Sequence, residues 1–292
     1  MATVWTDGYW WSNDGLRLHY RDYPGDDAGK PPIICIPGLT RNARDWEGVA
    51  ERLAGDWRVI AVDLRGRGES AYAKDPMTYV PLTYLQDLEA LVRELALDRF
   101  VLFGTSLGGL LSMLLGAAER DRVAGVLVND IGPELDDSGV ARIRSYVGRP
   151  STWPTWVHAA RDLAEVQRPC YPDWQLDDWL VFAKRVARLN SSGRIVFDYD
   201  MRIAEPFKLP VTAGLDLWSA FAALKGVPFT VVRGETSDIL SPATLERMEA
   251  EHPDLEAVTV PRIGHAPTLD EPEVQAAVGR LLSRVEERLA LA

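Results

Sequence analysis

Short apolar runs recur along the first half of the chain, at residues 32–36, 58–62, 100–103 and 123–128. The first three are continuous rather than alternating, the pattern of strands buried on both faces. The intervals between them carry helical spacing. Leu82, Leu85, Leu88, Leu91, Val92 and Leu95 repeat every three or four residues, which places side chains on one helix face. Strand, helix, strand, helix predicts a parallel sheet with right-handed crossovers. Residues 8–23 precede this series and read as two strands around a turn at Asn13-Asp14-Gly15, with a Gly-, Asp- and Pro-rich loop at 24–31. After Gly132-Pro133 the pattern changes. Residues 134–225 show helical stretches but no run resembling a buried strand, and they hold 12 of the 26 aromatic residues, so this segment reads as a helical insertion rich in ring surface. Strand patterns resume at 228–233 and 255–260. The chain ends in an amphipathic helix with Val274, Val278, Leu281, Leu282, Val285 and Leu289 on one face. The expected architecture is α/β: a mostly parallel central sheet flanked by helices, with a helical lid inserted after the sixth strand. Residues 1–133 and 226–292 form the core and 134–225 the lid.

Composition narrows the function classes. A chain of 292 residues suffices for one large catalytic domain, and its size lets it fold without a metal or disulfide staple. The net charge of -11 argues against nucleic-acid binding, which leaves a basic footprint. Cys35 lies in the apolar run Ile33-Ile34-Cys35-Ile36 and reads as core. With Cys170 as the only other cysteine, no metal or redox cluster is indicated. The N-terminus lacks the basic start and apolar run of a signal peptide. Residues 100–118 carry no formal charge, yet their Gly104-Thr105-Ser106-Leu107-Gly108-Gly109 centre suits a tight turn rather than a membrane helix. A cytoplasmic, reduced protein is expected, acting on a small molecule without nucleic acid, membrane, metal or cofactor, as a monomer or homodimer.

The chemistry is carried by Gly104-Thr105-Ser106-Leu107-Gly108. An apolar strand precedes this GxSxG pattern and a helix-compatible segment follows it, the context of a nucleophile elbow. The glycines let a strand turn sharply into a helix, and the serine hydroxyl then projects beside the positive helix N-terminus. A serine needs a base. Of the four histidines, His19 lies in the N-terminal hairpin, His158 in the insertion and His252 at a polar helix end. His265, in Ile263-Gly-His-Ala-Pro267, follows the last strand on the edge where the elbow lies. The base needs an acid to fix its tautomer. Asp238 and Asp130 both follow sheet strands. Asp238 is favoured because it gives the chain order Ser, Asp, His; Asp130 is the alternative.

Together with Pro37-Gly38-Leu39 and Asp63-Leu64-Arg65-Gly66-Arg67-Gly68-Glu69-Ser70, these motifs make the chain resemble the α/β-hydrolase superfamily, in its lid-bearing serine hydrolase branch, over nearly its whole length. The resemblance implies the α/β-hydrolase fold and an oxyanion hole from two backbone N–H groups, by position those of Leu39 and Leu107. Each such donor is worth roughly 3–4 kcal/mol of barrier. Many relatives have His-Gly where this chain has Pro37-Gly38, a change that keeps the backbone donor. Arg41 and Asn42 beyond it are candidates to reach a substrate carbonyl or carboxylate, although Asn42 also suits a helix cap. In the lid, Trp153, Trp156, Trp179 and Phe182 are candidate pocket residues, with packing as the competing role of each.

Ester or lactone hydrolysis of small to medium, largely apolar substrates through an acyl-enzyme on Ser106 is the favoured activity. The same triad serves hydrolysis of a carbon–carbon bond in vinylogous diketones. A receptor-like protein that keeps the triad but turns over slowly is the alternative of another class.

Overall fold

The computed structural model describes residues 5–26, 29–207 and 215–291. The N-terminal residues 1–4 and parts of the 24–31 loop and of the expected lid lie outside that range. The chain opens with an antiparallel hairpin, β1 (Thr6–Trp11) and β2 (Arg17–Tyr23), with Trp10 opposite Leu18. There follow β3 (Ile33–Ile36), α1 (Glu47–Leu53), β4 (Val59–Asp63), α2 (Pro81–Glu94), β5 (Phe100–Thr105), α3 (Leu107–Ala118) and β6 (Val123–Asn129).

The insertion after β6 contains α4 (Asp137–Tyr146), β7 (Thr152–Trp153), α5 (Trp156–Gln167), α6 (Leu176–Val186), β8 (Ala187–Leu189), β9 (Ile195–Phe197), α7 (Ala204–Phe207) and α8 (Leu217–Ala222). The chain then completes the sheet with β10 (Phe229–Gly234), α9 (Pro242–Glu251), β11 (Leu255–Val260) and the long α10 (Pro272–Ala290).

The eight-stranded sheet runs β1-β2-β4-β3-β5-β6-β10-β11. Only the hairpin edge is antiparallel; from β4 through β11 every pairing is parallel. β3, β4, β5 and β6 are buried along almost their whole length because helices cover both faces. One layer joins α2, α3 and α8 to the sheet through Leu88, Leu91, Leu111 and Phe221. The other packs Val49, Val278, Leu281 and Val285 of α1 and α10 on the opposite face. In α2 the buried stripe is Tyr84, Leu88, Leu91 and Val92, and Leu82, expected on that face, is exposed. Cys35 is fully buried in β3, where burial pushes its thiol pKa up.

The insertion differs from expectation in two respects. β7, β9 and β8 form a small antiparallel sheet beside α5 and α6. Strands of two or three residues are too short to register as an apolar run, so the hydrophobic pattern could not reveal them. Trp153, Leu163, Tyr171, Trp179 and Phe182 make a separate core there. α8, although inside the range expected for the lid, packs on α3, and its Phe221 meets Phe229 of β10 edge-on at 5.4 Å.

Candidate active site

A parallel sheet delivers the loops after its strands to one edge, and the reactive side chains meet there. β5 ends at Thr105 and α3 starts at Leu107, so the whole turn is made at Ser106, whose φ is +53°. Such a backbone costs on the order of 1–3 kcal/mol and persists only where its surroundings enforce it. They do so here. The Ser106 N–H donates to Asn129 O of β6 at 2.9 Å, and Ser106 O accepts from the N–H groups of Gly109 and Leu110. Side chains on the flanking glycines have no room: a Cβ at Gly104 would lie 2.2 Å from Gly108 O, and one at Gly108 1.9 Å from Ile36 O.

His265, on the loop after β11, brings Nε2 to 2.9 Å from Ser106 Oγ. Its Nδ1 lies 2.7 Å from Asp130 Oδ2. With a neutral ring, Nδ1–H donates to the carboxylate and Nε2 accepts from the serine hydroxyl. Asp130 is fully buried and well satisfied. The Ser237 hydroxyl donates to its Oδ2 at 2.7 Å, and the Gly234 N–H to its Oδ1 at 2.8 Å.

The acid meeting His265 is therefore Asp130, the alternative, and not the favoured Asp238. Asp238 turns instead to α4, where Arg142 holds both its carboxylate oxygens. Burial alone would raise the Asp238 pKa, and the Arg142 guanidinium more than offsets this, leaving it below the usual carboxylate value. The cause of the exchange is sheet register. Thr105 of β5 pairs with Asn129 of β6, so the next residues, Ser106 and Asp130, leave neighbouring strands at one level. Asp238 lies four residues beyond the end of β10, and it is its neighbour Ser237 that reaches Asp130.

Ser106 and His265 open into a cavity of about 390 Å³. Leu39 lines it, and the Leu39 carbonyl accepts from Arg67 Nε at 2.8 Å, which fixes the loop that presents the Leu39 peptide. Arg67 is fully buried and also bonds Arg65 O and Tyr84 Oη, so the glycine-rich loop after β4 is a brace for the site. Leu107 is the first residue of α3, directly beside Ser106. Arg41 lines the cavity, paired through Nε and Nη2 with Asp45 at 2.5 and 2.6 Å and lying 4.4 Å above the Phe182 ring.

Four candidate pocket residues do not line the cavity. Asn42 caps the short 3-10 helix Ala43–Trp46 by accepting from the Arg44 N–H, and its amide donates to Arg185 O. Trp153 donates to Asp162 and packs edge-on against Phe197. Trp179 is buried among Tyr171, Trp174 and Phe182, and Trp156 packs on the same cluster. Indole surface in the insertion builds its own core, and of the four aromatic candidates Phe182 alone reaches the cavity. The lining residues missed complete helical triplets: Ile143, Tyr146 and Val147 of α4 and its end, Leu163, Val166 and Gln167 of α5, and Arg185 and Val186, which join the expected Phe182 on α6. Each triplet has i, i+3, i+4 spacing, the inward face of its helix, but with polar side chains among the apolar ones.

Comparison with known proteins identifies the family. The model of the Alpha/beta hydrolase family matches residues 33–278. The chain belongs to that family. This alpha/beta hydrolase is 34% identical over 264 residues to a 3-hydroxybutyrate-oligomer hydrolase of Cupriavidus necator, covering 88% of this chain and 89% of the relative. It is 29% identical to a 2-(acetamidomethylene)succinate hydrolase of Mesorhizobium japonicum, with 84% of each chain covered. A crystal structure of an alpha/beta hydrolase from Novosphingobium aromaticivorans superposes with a TM-score of 0.93 at 59% identity, over 97% of this chain and 99% of that one. The alpha/beta hydrolase is thus an enzyme homologous to ester hydrolases. No described helix is long and apolar enough to cross a membrane.

Proposed function

We propose that this alpha/beta hydrolase cleaves carboxylic esters or lactones of small to medium molecules through an acyl-enzyme on Ser106. The observation that carries the reading is the unbroken relay from Ser106 Oγ through His265 to buried Asp130, opening directly into the cavity. Ser106 Oγ attacks the carbonyl carbon while His265 Nε2 takes its proton. The negative charge that forms on the carbonyl oxygen is received by the N–H groups of Leu39 and Leu107. The imidazolium, stabilised by Asp130, then protonates the departing alcohol, and water resolves the acyl-enzyme with His265 again as base.

The cavity volume suits a small molecule, within the usual range of roughly 300–1,000 Å³. Within the insertion after β6, α4, α5 and α6 act as the lid, through the faces that line the cavity. Similarity to a 3-hydroxybutyrate-oligomer hydrolase supports an ester bond as the target. The test is turnover of chromogenic esters of graded acyl length by wild type and Ser106→Ala. Rapid release of one equivalent of alcohol, lost in the variant, supports the acyl-enzyme. Undiminished turnover in Ser106→Ala would overturn it, and turnover of vinylogous diketones in place of esters would move the reading to carbon–carbon bond hydrolysis.

A further inference from the structure

In a chain with a net charge of -11, the cavity wall carries three arginines, Arg41, Arg149 and Arg185, against two carboxylates, Asp45 and Asp162. Asp45 is held by Arg41, and Asp162 accepts from the Trp153 indole. Arg149 is exposed, whereas the Arg185 side chain is only 20% exposed. Among the described residues the Arg185 guanidinium makes no hydrogen bond. Its nearest carboxylate oxygen, Asp270 Oδ2, is 3.6 Å away, outside hydrogen-bond range, and the other oxygen of Asp270 is taken by Arg52 at 2.7 Å. A planar fork of five N–H donors, four-fifths buried and facing a cavity, is built to receive an anion.

Its position says which part of a substrate would bring that anion. Arg185 lies beside Asp270, on the loop that runs on from His265. In ester cleavage His265 Nε2 must hand its proton to the leaving oxygen, so the alcohol half of the substrate extends on the imidazole side of Ser106. The base of the guanidinium is also fixed. The Arg185 carbonyl accepts from Asn42 Nδ2 at 3.0 Å and from Arg44 Nε at 3.1 Å, which pins the end of α6 against the loop after β3.

We propose that Arg185 binds a carboxylate on the alcohol half of the substrate, so that the preferred substrates are esters whose leaving group is a hydroxy acid. This rests on the ester-hydrolase reading above. The released product is then a hydroxycarboxylate, and Arg185 acts as a specificity residue rather than a participant in bond breaking.

The experiment compares two probes, 3-(3-hydroxybutanoyloxy)butanoic acid and its primary amide, which differ only in the carboxylate. Products of internal ester cleavage are resolved by chromatography, with p-nitrophenyl acetate as a neutral reference. Wild type is expected to favour the acid over the amide by roughly 10- to 100-fold in kcat/KM, the range of one charge-assisted bidentate contact. Arg185→Gln should abolish that preference through KM for the acid while leaving the amide and the reference ester within about threefold. Arg185→Lys should recover part of it, and Arg149→Gln should leave it in place. Equal turnover of acid and amide by wild type overturns the assignment. So does an equal fall on both probes in Arg185→Gln, or loss of preference in Arg149→Gln in place of Arg185→Gln. Ser106-dependent cleavage of p-nitrophenyl acetate with neither probe turned over also overturns it and leaves the ester reading standing. Cleavage that survives Ser106→Ala removes both.

Discussion

Ser106 and Asp130 occupy equivalent places at the ends of adjacent strands, and both have positive φ, +53° and +58°. Each is the residue at which a buried strand stops and its side chain is turned toward the site. Asp130 is buried and fixed, among the described residues, by three donors: the Gly234 N–H, the Ser237 hydroxyl and the His265 ring. Asp238 has the opposite arrangement, an ion pair with Arg142 at about one-third exposure. The expected contrast is sharp. Asp130→Asn should lower kcat by about 10⁴-fold, because an amide leaves the imidazole in the wrong tautomer. Asp238→Asn should leave kcat within about fivefold and cost at most about 1 kcal/mol of stability, the usual worth of a partly exposed ion pair. Steady-state kinetics and urea unfolding of the two variants check both statements, and the reverse ranking would restore Asp238 as the acid. The serine and histidine were legible because each sits in a tight, glycine-flanked motif directly after a strand. The carboxylate that meets His265 was not, because two aspartates follow sheet strands and both give the chain order Ser, Asp, His. Equal distance past the strand end, one residue for both Ser106 and Asp130, was the physical signal that separates them.

The elbow joining β5 to α3 shows how a short element fixes the rest. Gly108 lies so close to β3 that a methyl group there would meet the Ile36 carbonyl, and backbone cannot yield as a side-chain tip can. Gly108→Ala should therefore destabilise the fold by about 3 kcal/mol, the upper part of the usual overpacking range, and move the nucleophile. Gly279 is the counter-case within α10. It is exposed, with nothing within 4 Å of a built Cβ, so Gly279→Ala should stabilise by about 1 kcal/mol through helix propensity alone. Thermal unfolding of both variants should shift in opposite directions. The parallel core was readable for the same reason that Gly108 is intolerant: strands buried on both faces must be apolar throughout, and helices on them must repeat at three and four. The insertion was less readable. Its rings serve an internal core as well as a cavity, and abundance of tryptophan does not distinguish the two. The lining faces of α4, α5 and α6 mix Tyr, Gln and Arg with aliphatic side chains, so they lack the uniform apolar stripe that marks a buried helix.

Two buried histidines outside the active site couple the whole molecule to pH with opposite signs. His19 is 1% exposed, with Nδ1 2.7 Å from Asp63 and Nε2 2.9 Å from Asp7. Asp63 also accepts from the Ala43 and Glu69 N–H groups, so one ring ties β1 and β2 to both loops that brace the site. Burial alone would lower the His19 pKa; the carboxylates of Asp63 and then Asp7 more than offset this and leave it raised. His252 donates from Nε2 to Leu224 O at 3.0 Å, and burial, only partly countered by that bond, leaves its pKa lowered. A raised native pKa means that the folded state binds the His19 proton more tightly than the unfolded chain does. Its contribution is complete below the ordinary histidine value of about 6.5 and disappears as pH rises through the higher native value. For His252 the unfolded chain takes the proton first, so its contribution is present above about 6.5 and is lost as pH falls through the lowered native value. Urea unfolding of wild type and His19→Gln should thus differ most near pH 6 and converge toward pH 9. The difference between wild type and His252→Asn should instead widen as pH rises from 5 to 7. A His19→Gln difference that grows with pH would mean that the ring is held neutral between its two carboxylates, and the brace would then be a pair of ordinary hydrogen bonds rather than a charged clamp.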